Sequence, residues 1–142
     1  MTDQLDTNKA IVRRFFAAIE ANDAEAFDEL VDQAYIDHLP GQLPGRDNLK
    51  QYIAMLHRGL SDLAMPIVHM VAEGDKVAVL NKVLGAHSGE PLGYPASGNR
   101  VDITNFQLYR LEDSRLAEHC EVADYATLMS QLAKAAGVSE HA

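Results

Sequence analysis

The sequence has no tryptophan, a single cysteine and no uninterrupted apolar run of membrane-spanning length. Because Cys120 has no second cysteine to pair with, an intrachain disulfide is excluded, and a reducing compartment, by default the cytoplasm, is the expected location. Charged residues interrupt the apolar ones throughout residues 1–14. We therefore predict neither a signal peptide nor a membrane helix.

Positive charge is scarce as well. The chain carries 12 Lys and Arg against 21 Asp and Glu, a net charge of −9, which disfavours nucleic acid and anionic membranes as partners. At 142 residues with 47% hydrophobic content, the chain fits one domain spanning residues 1–142. We expect its ends to fray, which leaves an ordered core from about residue 7 to about residue 137.

The spacing of apolar residues changes from helical to extended along the chain. Periods of three and four residues predict a helix that begins at Asp6 or Thr7, a short helix after Asn22, and a third helix over 45–60. Runs of β-branched residues then predict strands, and a helix follows them. The strands are expected over 67–72, 76–84, 101–111 and 115–122, and the last helix over 124–135.

Helices first and antiparallel strands afterwards predict an α+β fold. One face of the sheet must be buried against the helices, so a strongly curved antiparallel sheet covered by the N-terminal helices forms a cone with an open mouth. Such a mouth is a natural site for a hydrophobic small molecule.

The strand over 101–111 supplies the first candidate site residues. Alternation places Asn105, Gln107 and Tyr109 on one face between apolar ends, opposite a face that holds Phe106 and Leu108. Apolar walls with a few polar groups are typical of a ligand pocket, so we predict that Asn105, Gln107 and Tyr109 face inward. The alternative is that Phe106 and Leu108 face inward and the amides are solvated.

The last strand has a more apolar face that includes Leu116, Glu118, Cys120 and Val122, and this face is predicted to line the pocket. Asp124 follows on the same face where the final helix begins. Partial burial there would raise its pKa toward general acid/base use. The alternative is an ordinary helix N-cap, whose carboxylate accepts backbone N–H groups and has a lowered pKa.

Two further polar residues are weaker candidates. His38 could line the mouth beside Pro40 or lie on the surface, and Asn81 could project into the pocket from its strand. The six histidines show no metal-binding spacing with one another or with Cys120, and no glycine-rich phosphate loop is present, so neither a metal nor a nucleotide cofactor is expected. Cys120 and His119 are adjacent on a strand and point in opposite directions, which excludes them as a nucleophile–base pair.

The chain resembles the SnoaL-like polyketide cyclases, also called the ester cyclase group, within the nuclear transport factor 2-like (NTF2-like) superfamily of cone-shaped α+β barrels. The resemblance covers nearly the whole length. The residues that carry it are Ile11–Ile19, Tyr35–His38 with Pro40, Val71–Val77, Ala86–Glu90 with Gly93, Pro95 and Ser97–Gly98, Tyr109–Arg110, Ala117–His119, Asp124, and Leu128–Leu132.

The resemblance implies a cofactor-free enzyme that closes a polyketide ring by intramolecular aldol condensation, with Asp124 as acid/base. Asn105 and Gln107 would then hold the enolate oxygen. Cys120 stands where the family usually has tryptophan, and Tyr109 lies near a usual histidine, so a different ligand is implied. The alternative function is a non-catalytic binding or accessory protein.

Phe106, Leu108 and His119 are assigned to the outer face of the sheet. An apolar outer face indicates a partner, so we expect a homo-oligomer, most simply a dimer.

Overall fold

A computed structural model describes residues 3–89 and 95–134 of the chain. Within them lie four helices and six strands. The helices are α1 (Gln4–Ala21), α2 (Ala24–Leu30), α3 (Arg46–Gly59) and α4 (Tyr125–Ala133), and the strands are β1 (Val31–Asp37), β2 (Leu60–Ala64), β3 (Ile67–Glu73), β4 (Lys76–His87), β5 (Arg100–Glu112) and β6 (Arg115–Ala123). The resemblance residues Glu90 and Gly93 fall outside the described ranges, as do both chain ends.

Helix α1 is capped by Asp3, three or four residues before the predicted cap at Asp6 or Thr7. The Asp3 carboxylate accepts the N–H of Asp6 at 2.8 Å, which satisfies one of the free N–H groups of the first turn. The helix ends at Asn22, whose φ of 51° is in the left-handed region and whose N–H bonds back to the last turn. Between these ends the apolar positions form the buried stripe that the spacing predicts.

The six strands form one curled sheet in the order β1-β6-β5-β4-β2, and β3 also pairs with β4. The α+β fold with N-terminal helices covering a curved sheet is therefore confirmed. The pairs are antiparallel except β1 with β6, which run parallel. The parallel edge strand was not predicted, because the sequence indicated extended structure only from Tyr35 and gave no partner for it.

The core lies between α1 and the inner face of the sheet. Phe15 and Phe16 of α1 are 1% and 2% exposed, and both rings meet Tyr109 of β5 edge-to-face, with centroids 5.7 and 6.2 Å apart. Burying one such ring stabilises the fold by about 1.5–3 kcal/mol. Helix α1 is thus fixed against the middle strands, and it forms part of the wall of the cavity described next.

Candidate active site

A cavity opens between the helices and the inner face of the sheet. Its walls are mainly apolar side chains from α1, α3, β4 and β5. Nine polar or phenolic residues also line it. They are Tyr35 and Asp37 of β1, Tyr52 of α3, Asn105, Gln107 and Tyr109 of β5, His119 and Glu121 of β6, and Tyr125 of α4.

Strand β5 positions three of these residues as predicted. Its burial alternates strictly from Val101 to Leu111, with odd-numbered residues inside and even-numbered ones outside. Asn105, Gln107 and Tyr109 are 6%, 3% and 1% exposed and line the cavity. The alternative, in which Phe106 faces inward, is wrong.

Strand β6 departs from simple alternation at Ala117. Leu111 pairs with Leu116, whereas Arg110 pairs with Glu118, so Ala117 is an extra residue opposite a continuous β5. This is a β-bulge, and it exchanges the two faces of the strand beyond it. Leu116 and Ala117 are both buried, and the inward residues that follow are His119, Glu121 and Ala123.

The prediction that Glu118 faces the pocket is therefore wrong. Its carboxylate lies on the outer face, where Oε1 accepts Arg110 Nε at 2.8 Å and Oε2 lies 2.7 Å from His38 Nε2. These bonds, led by the one from Arg110, hold the pKa of Glu118 below its usual value. His38 belongs to the same exposed cluster and does not line the cavity, which agrees with the surface alternative for this residue.

Asp124 also lies outside the cavity, for the same reason. It is exposed and is the N-cap of α4. Its Oδ2 accepts the Thr127 hydroxyl at 2.6 Å and its Oδ1 accepts the Thr127 N–H at 3.1 Å. These two bonds lower the pKa of Asp124, the behaviour expected of a cap. The predicted inward position of Asp124 is wrong, and the capping alternative describes its contacts.

Inside the cavity, His119 and Asp37 form a buried pair. The side chain of His119 is 8% exposed and that of Asp37 is 4% exposed, and His119 Nδ1 lies 3.1 Å from Asp37 Oδ1. The imidazole ring stacks on Tyr109 at a centroid distance of 4.7 Å and faces Tyr35 at 6.4 Å. The parallel register that sets Asp37 opposite His119 brings the pair together.

Gln107 and Asn81 extend this pair into a network. Gln107 Oε1 accepts the Tyr109 hydroxyl at 2.7 Å and lies 2.9 Å from His119 Nε2. Gln107 Nε2 donates to Asn81 Oδ1 at 2.8 Å. Asn81 is fully buried and points inward as predicted, but it lies behind Gln107 and not on the cavity wall. Gln107 was expected to donate to a ligand oxygen, but its amide group already donates to Asn81.

Glu121 is the carboxyl group most changed by the cavity. It lines the apolar wall, and Asn105 Nδ2 donates to its Oε2 at 3.3 Å. Burial raises the pKa of Glu121 above its ordinary value. The charge of His119 lowers this pKa, and the charge of Asp37 raises it further. A carboxyl whose pKa moves toward neutrality can both take and return a proton.

The phenols provide hydrogen-bond donors. Burial raises the pKa of Tyr35 and of Tyr52, so both hydroxyls stay protonated at neutral pH. Both residues line the cavity. A ligand oxygen that gains negative charge could therefore accept a hydrogen bond from a neutral phenol there.

Three cavity residues, Asp37, His119 and Glu121, were not identified from the sequence. The sequence did contain a signal for His119 and Glu121. Leu116 and Ala117 are consecutive apolar residues at the start of a strand that otherwise alternates. Consecutive inward residues are the mark of a bulge. Asp37 gave no local signal, because its proximity to His119 depends on pairing across 82 residues of chain.

Metal binding has no support in the described part of the chain. Across residues 3–89 and 95–134, no group of three His, Cys, Asp or Glu side chains is arranged to hold a metal ion. None of the described helices has the length and apolar character needed to cross a membrane.

Comparison with known proteins places this geometry in a family. The sequence model of the SnoaL-like polyketide cyclases matches residues 9–132, whereas no curated protein matches significantly. TsrD from Streptomyces laurentii is 26% identical in sequence with a TM-score of 0.85, covering 94% of this chain and 98% of that one. A protein from Jannaschia sp. CCS1, described as a SnoaL-like polyketide cyclase, is 25% identical with a TM-score of 0.84, at 93% and 95% coverage.

IdmH from Streptomyces antibioticus, described as a polyketide cyclase, is 25% identical with a TM-score of 0.79, covering 89% of this chain and 99% of that one. The matching proteins thus share the whole fold and not only its sheet. With the family model matching from α1 to α4, the chain belongs to the SnoaL-like polyketide cyclase family.

Proposed function

We propose that the protein is a cofactor-independent cyclase or isomerase that moves a proton at a carbon next to a carbonyl group, with Glu121 as the acid/base. The observation that carries this proposal is the environment of Glu121. Its carboxyl group lies on an apolar cavity wall, and its pKa is raised by burial. The family supports a polyketide-like carbonyl compound as the substrate class.

The reaction begins when the Glu121 carboxylate takes a proton from a carbon between two carbonyls. The C–H electron pair becomes an enolate, whose oxygen accepts hydrogen bonds from neutral phenols such as Tyr52. In an aldol closure the enolate carbon bonds to a second carbonyl carbon, and the new alkoxide takes the proton back from Glu121. In an isomerisation the proton returns to a different atom of the enolate. Apolar walls keep water from competing for these groups.

The proton-abstraction step can be tested without the natural substrate. Benzoylacetone has a methylene group between two carbonyls, and its exchange in D2O is followed by NMR. We expect the protein to accelerate this exchange and Glu121→Gln to reduce the acceleration by roughly 10²–10⁴-fold. Glu118→Gln is the matched control, because it makes the same change elsewhere on β6, is not expected to alter exchange, and lies outside the cavity.

Asp124→Asn serves as a second control and tests the aspartate predicted from the sequence. Because Asn caps a helix about as well as Asp, this variant should keep α4 and leave exchange unchanged. Equal exchange by the parent and Glu121→Gln would overturn the role of Glu121. Loss of exchange in Asp124→Asn, with the fold intact, would return the catalytic role to Asp124.

A non-catalytic binding protein is the second candidate. The hydrogen bonds of Gln107 favour it, because the amide group is already bonded to Asn81, Tyr109 and His119. A binding protein would take up the diketone, measured by calorimetry, with no acceleration of exchange in either the parent or the variants.

We also propose a homodimer through the outer face of the sheet. Phe106, Val122 and Val71 are 51%, 74% and 66% exposed, and Phe106 lies directly opposite Val122 in the sheet. This apolar surface is typical of a contact between proteins. His119, assigned to the same face from the sequence, lies inside. Sedimentation should show a dimer at micromolar concentration that Phe106→Lys dissociates, and a monomeric parent would overturn the proposal.

A further inference from the structure

A chain of hydrogen bonds with a fixed direction runs from the backbone of β4 to His119. It begins at the Lys82 carbonyl oxygen, which accepts Asn81 Nδ2 at 3.1 Å. A carbonyl oxygen cannot donate, so the nitrogen of the Asn81 amide must face it. The Asn81 oxygen then faces the cavity side, where it accepts Gln107 Nε2 at 2.8 Å. The backbone thus fixes the orientation of two buried side-chain amides.

The same chain determines what His119 can do at Nε2. Because the Gln107 nitrogen is directed at Asn81, its oxygen is directed at Tyr109 and His119. Gln107 Oε1 can only accept, so His119 Nε2, 2.9 Å away, must carry a hydrogen and donate it.

The other ring nitrogen is fixed by Asp37. Both hydrogen bonds to this carboxylate go to one oxygen, since Oδ1 accepts the Leu39 N–H at 2.9 Å and lies 3.1 Å from His119 Nδ1. An oxygen that accepts a backbone N–H is a poor candidate for the hydroxyl of a carboxylic acid. Asp37 therefore accepts at Oδ1, and His119 Nδ1 carries the hydrogen.

With both nitrogens protonated, the ring is an imidazolium ion, and its surroundings suit one. Asp37 supplies the opposite charge, while Tyr109 and Tyr35 lie nearly parallel to the ring, with interplanar angles of 17° and 15°. Aromatic faces attract cations, most strongly where water is excluded.

We propose that Asn81 is a positioning residue which, through Gln107, holds His119 as an imidazolium beside Asp37, and that this charge keeps Glu121 able to release its proton. The claim about Glu121 deepens the proposed function and rests on it. The claim about the charge on His119 depends on the hydrogen bonds alone. Asn81 does not line the cavity, and it reaches His119 through Gln107.

The groups around Glu121 explain why this charge matters. Burial raises the pKa of Glu121 and the nearby Asp37 carboxylate raises it further, while the His119 charge lowers it. Tyr35 and Tyr109, which also face His119, are neutral phenols and offer no replacement charge. Without the imidazolium, Glu121 would remain protonated to higher pH, so a smaller fraction of it would be the carboxylate that takes a proton at neutral pH.

The protonation of His119 is read by ¹⁵N NMR of the histidine rings at about pH 8, above the ordinary histidine pKa of about 6.5. His119→Gln identifies its signals by their loss. In the parent protein we expect both ring nitrogens of His119 to carry hydrogen. A parent His119 with one bare nitrogen at this pH would overturn the proposal, whether or not any variant folds.

Two substitutions of similar size test the relay itself. Asn81→Leu removes the acceptor for Gln107, so that amide can turn and donate to a neutral His119, and we expect one bare ring nitrogen. Asn81→Asp, protonated and donating to the Lys82 carbonyl, preserves the direction of the chain and should restore the imidazolium. Asn8→Leu removes another amide that is 3% exposed, beside Gln4 and outside the cavity, and should leave His119 unchanged.

A ¹³C titration of the Glu121 carboxyl in the same variants tests the consequence. Its pKa should rise in Asn81→Leu and return toward the parent value in Asn81→Asp, and the pH profile of benzoylacetone exchange should move with it. An imidazolium that persists in Asn81→Leu would overturn the relay, and an unmoved Glu121 would overturn its effect on the base. Because neither NMR measurement needs turnover, a failure of the relay is distinguished from an absence of catalysis.

Discussion

Two histidine–carboxylate pairs connect β6 with the end of β1 and the residue that follows it, one on each side of the sheet. Inside, His119 Nδ1 lies 3.1 Å from Asp37 Oδ1, and outside, His38 Nε2 lies 2.7 Å from Glu118 Oε2. The pairs use neighbouring positions, since His38 follows Asp37 and His119 follows Glu118. Their side chains are 8% and 4% exposed inside but 50% and 33% exposed outside.

The comparison shows that burial, and not contact distance, separates a surface pair from a candidate site. The shorter outer pair is in water, where screening and competition by solvent leave it little influence on stability. The longer inner pair is enclosed by Tyr35 and Tyr109 and is connected to a relay. The extra residue Ala117 allows Leu116 and His119, three positions apart in the sequence, to face inward together.

Deleting Ala117 should remove the bulge and leave both pairs on their own sides of the sheet. Without Ala117, the consecutive residues Leu116, Glu118 and His119 alternate inward, outward and inward, which are the faces they already occupy. The deletion removes one buried alanine side chain and the local bend of the strand. We expect the variant to unfold cooperatively by circular dichroism and differential scanning calorimetry, at a lower temperature than the parent.

Ala117→Ser is the control, because it keeps the residue count of β6, and therefore the bulge, and differs by one hydroxyl group. It should unfold cooperatively at a temperature close to that of the parent. A deletion variant that lost cooperative unfolding would show that the faces of β6 depend on the extra residue itself.

A conservative change in each pair tests whether burial determines how much the pair contributes to stability. Asp37→Asn keeps the shape of the inner pair but removes its carboxylate. On the proposal that His119 is an imidazolium, removing the partner of this buried charge costs about 3 kcal/mol. Glu118→Gln makes the equivalent change outside, where we expect little loss. The free energy of unfolding from urea titration measures both, and equal losses would mean that burial does not distinguish the pairs.

Part of this arrangement was predictable from the sequence. In β5 the odd-numbered residues predicted to face inward do so without exception, because the strand is continuous and each face has a distinct chemical character. The amphipathic helix α1 and the order of helices before strands were predictable for the same reason, since each depends on a local period.

The faces of β6 and the partner of Asp37 were not predictable in this way. A bulge shifts the period by one residue, so Glu118 and Asp124 were assigned inward while His119 was assigned outward. The inner pair depends on parallel pairing between strands far apart in the chain, which no local pattern encodes. Site residues placed by a single regular strand can be predicted, whereas those that depend on a bulge or a distant strand require the structure.

The two glutamates of β6 also differ in how they make stability depend on pH. These are the smallest effects that we expect. Burial raises the pKa of Glu121 above its ordinary 4.5. Between pH 4.5 and the raised pKa, the folded state binds more protons than the unfolded state, so stability falls as pH rises through this window. Bonds from Arg110 and His38 lower the pKa of Glu118, so its contribution is present above 4.5 and is lost as pH falls below it.

Replacing each glutamate by glutamine should therefore change the pH dependence of stability in opposite directions. Glu121→Gln removes the cost of ionising a buried carboxyl, so it should be more stable than the parent above the window that begins near pH 4.5, and no more stable below it. Glu118→Gln should be slightly less stable than the parent above pH 4.5, with the difference vanishing in acid. Urea titrations from acid to neutral pH measure both, and two curves that move the same way would contradict the assignment of Glu121 to the inside and Glu118 to the outside. A Glu121→Gln variant that gains stability while losing diketone exchange would show that this carboxyl is held in the cavity at a cost to the fold, as expected for a group retained for its chemistry.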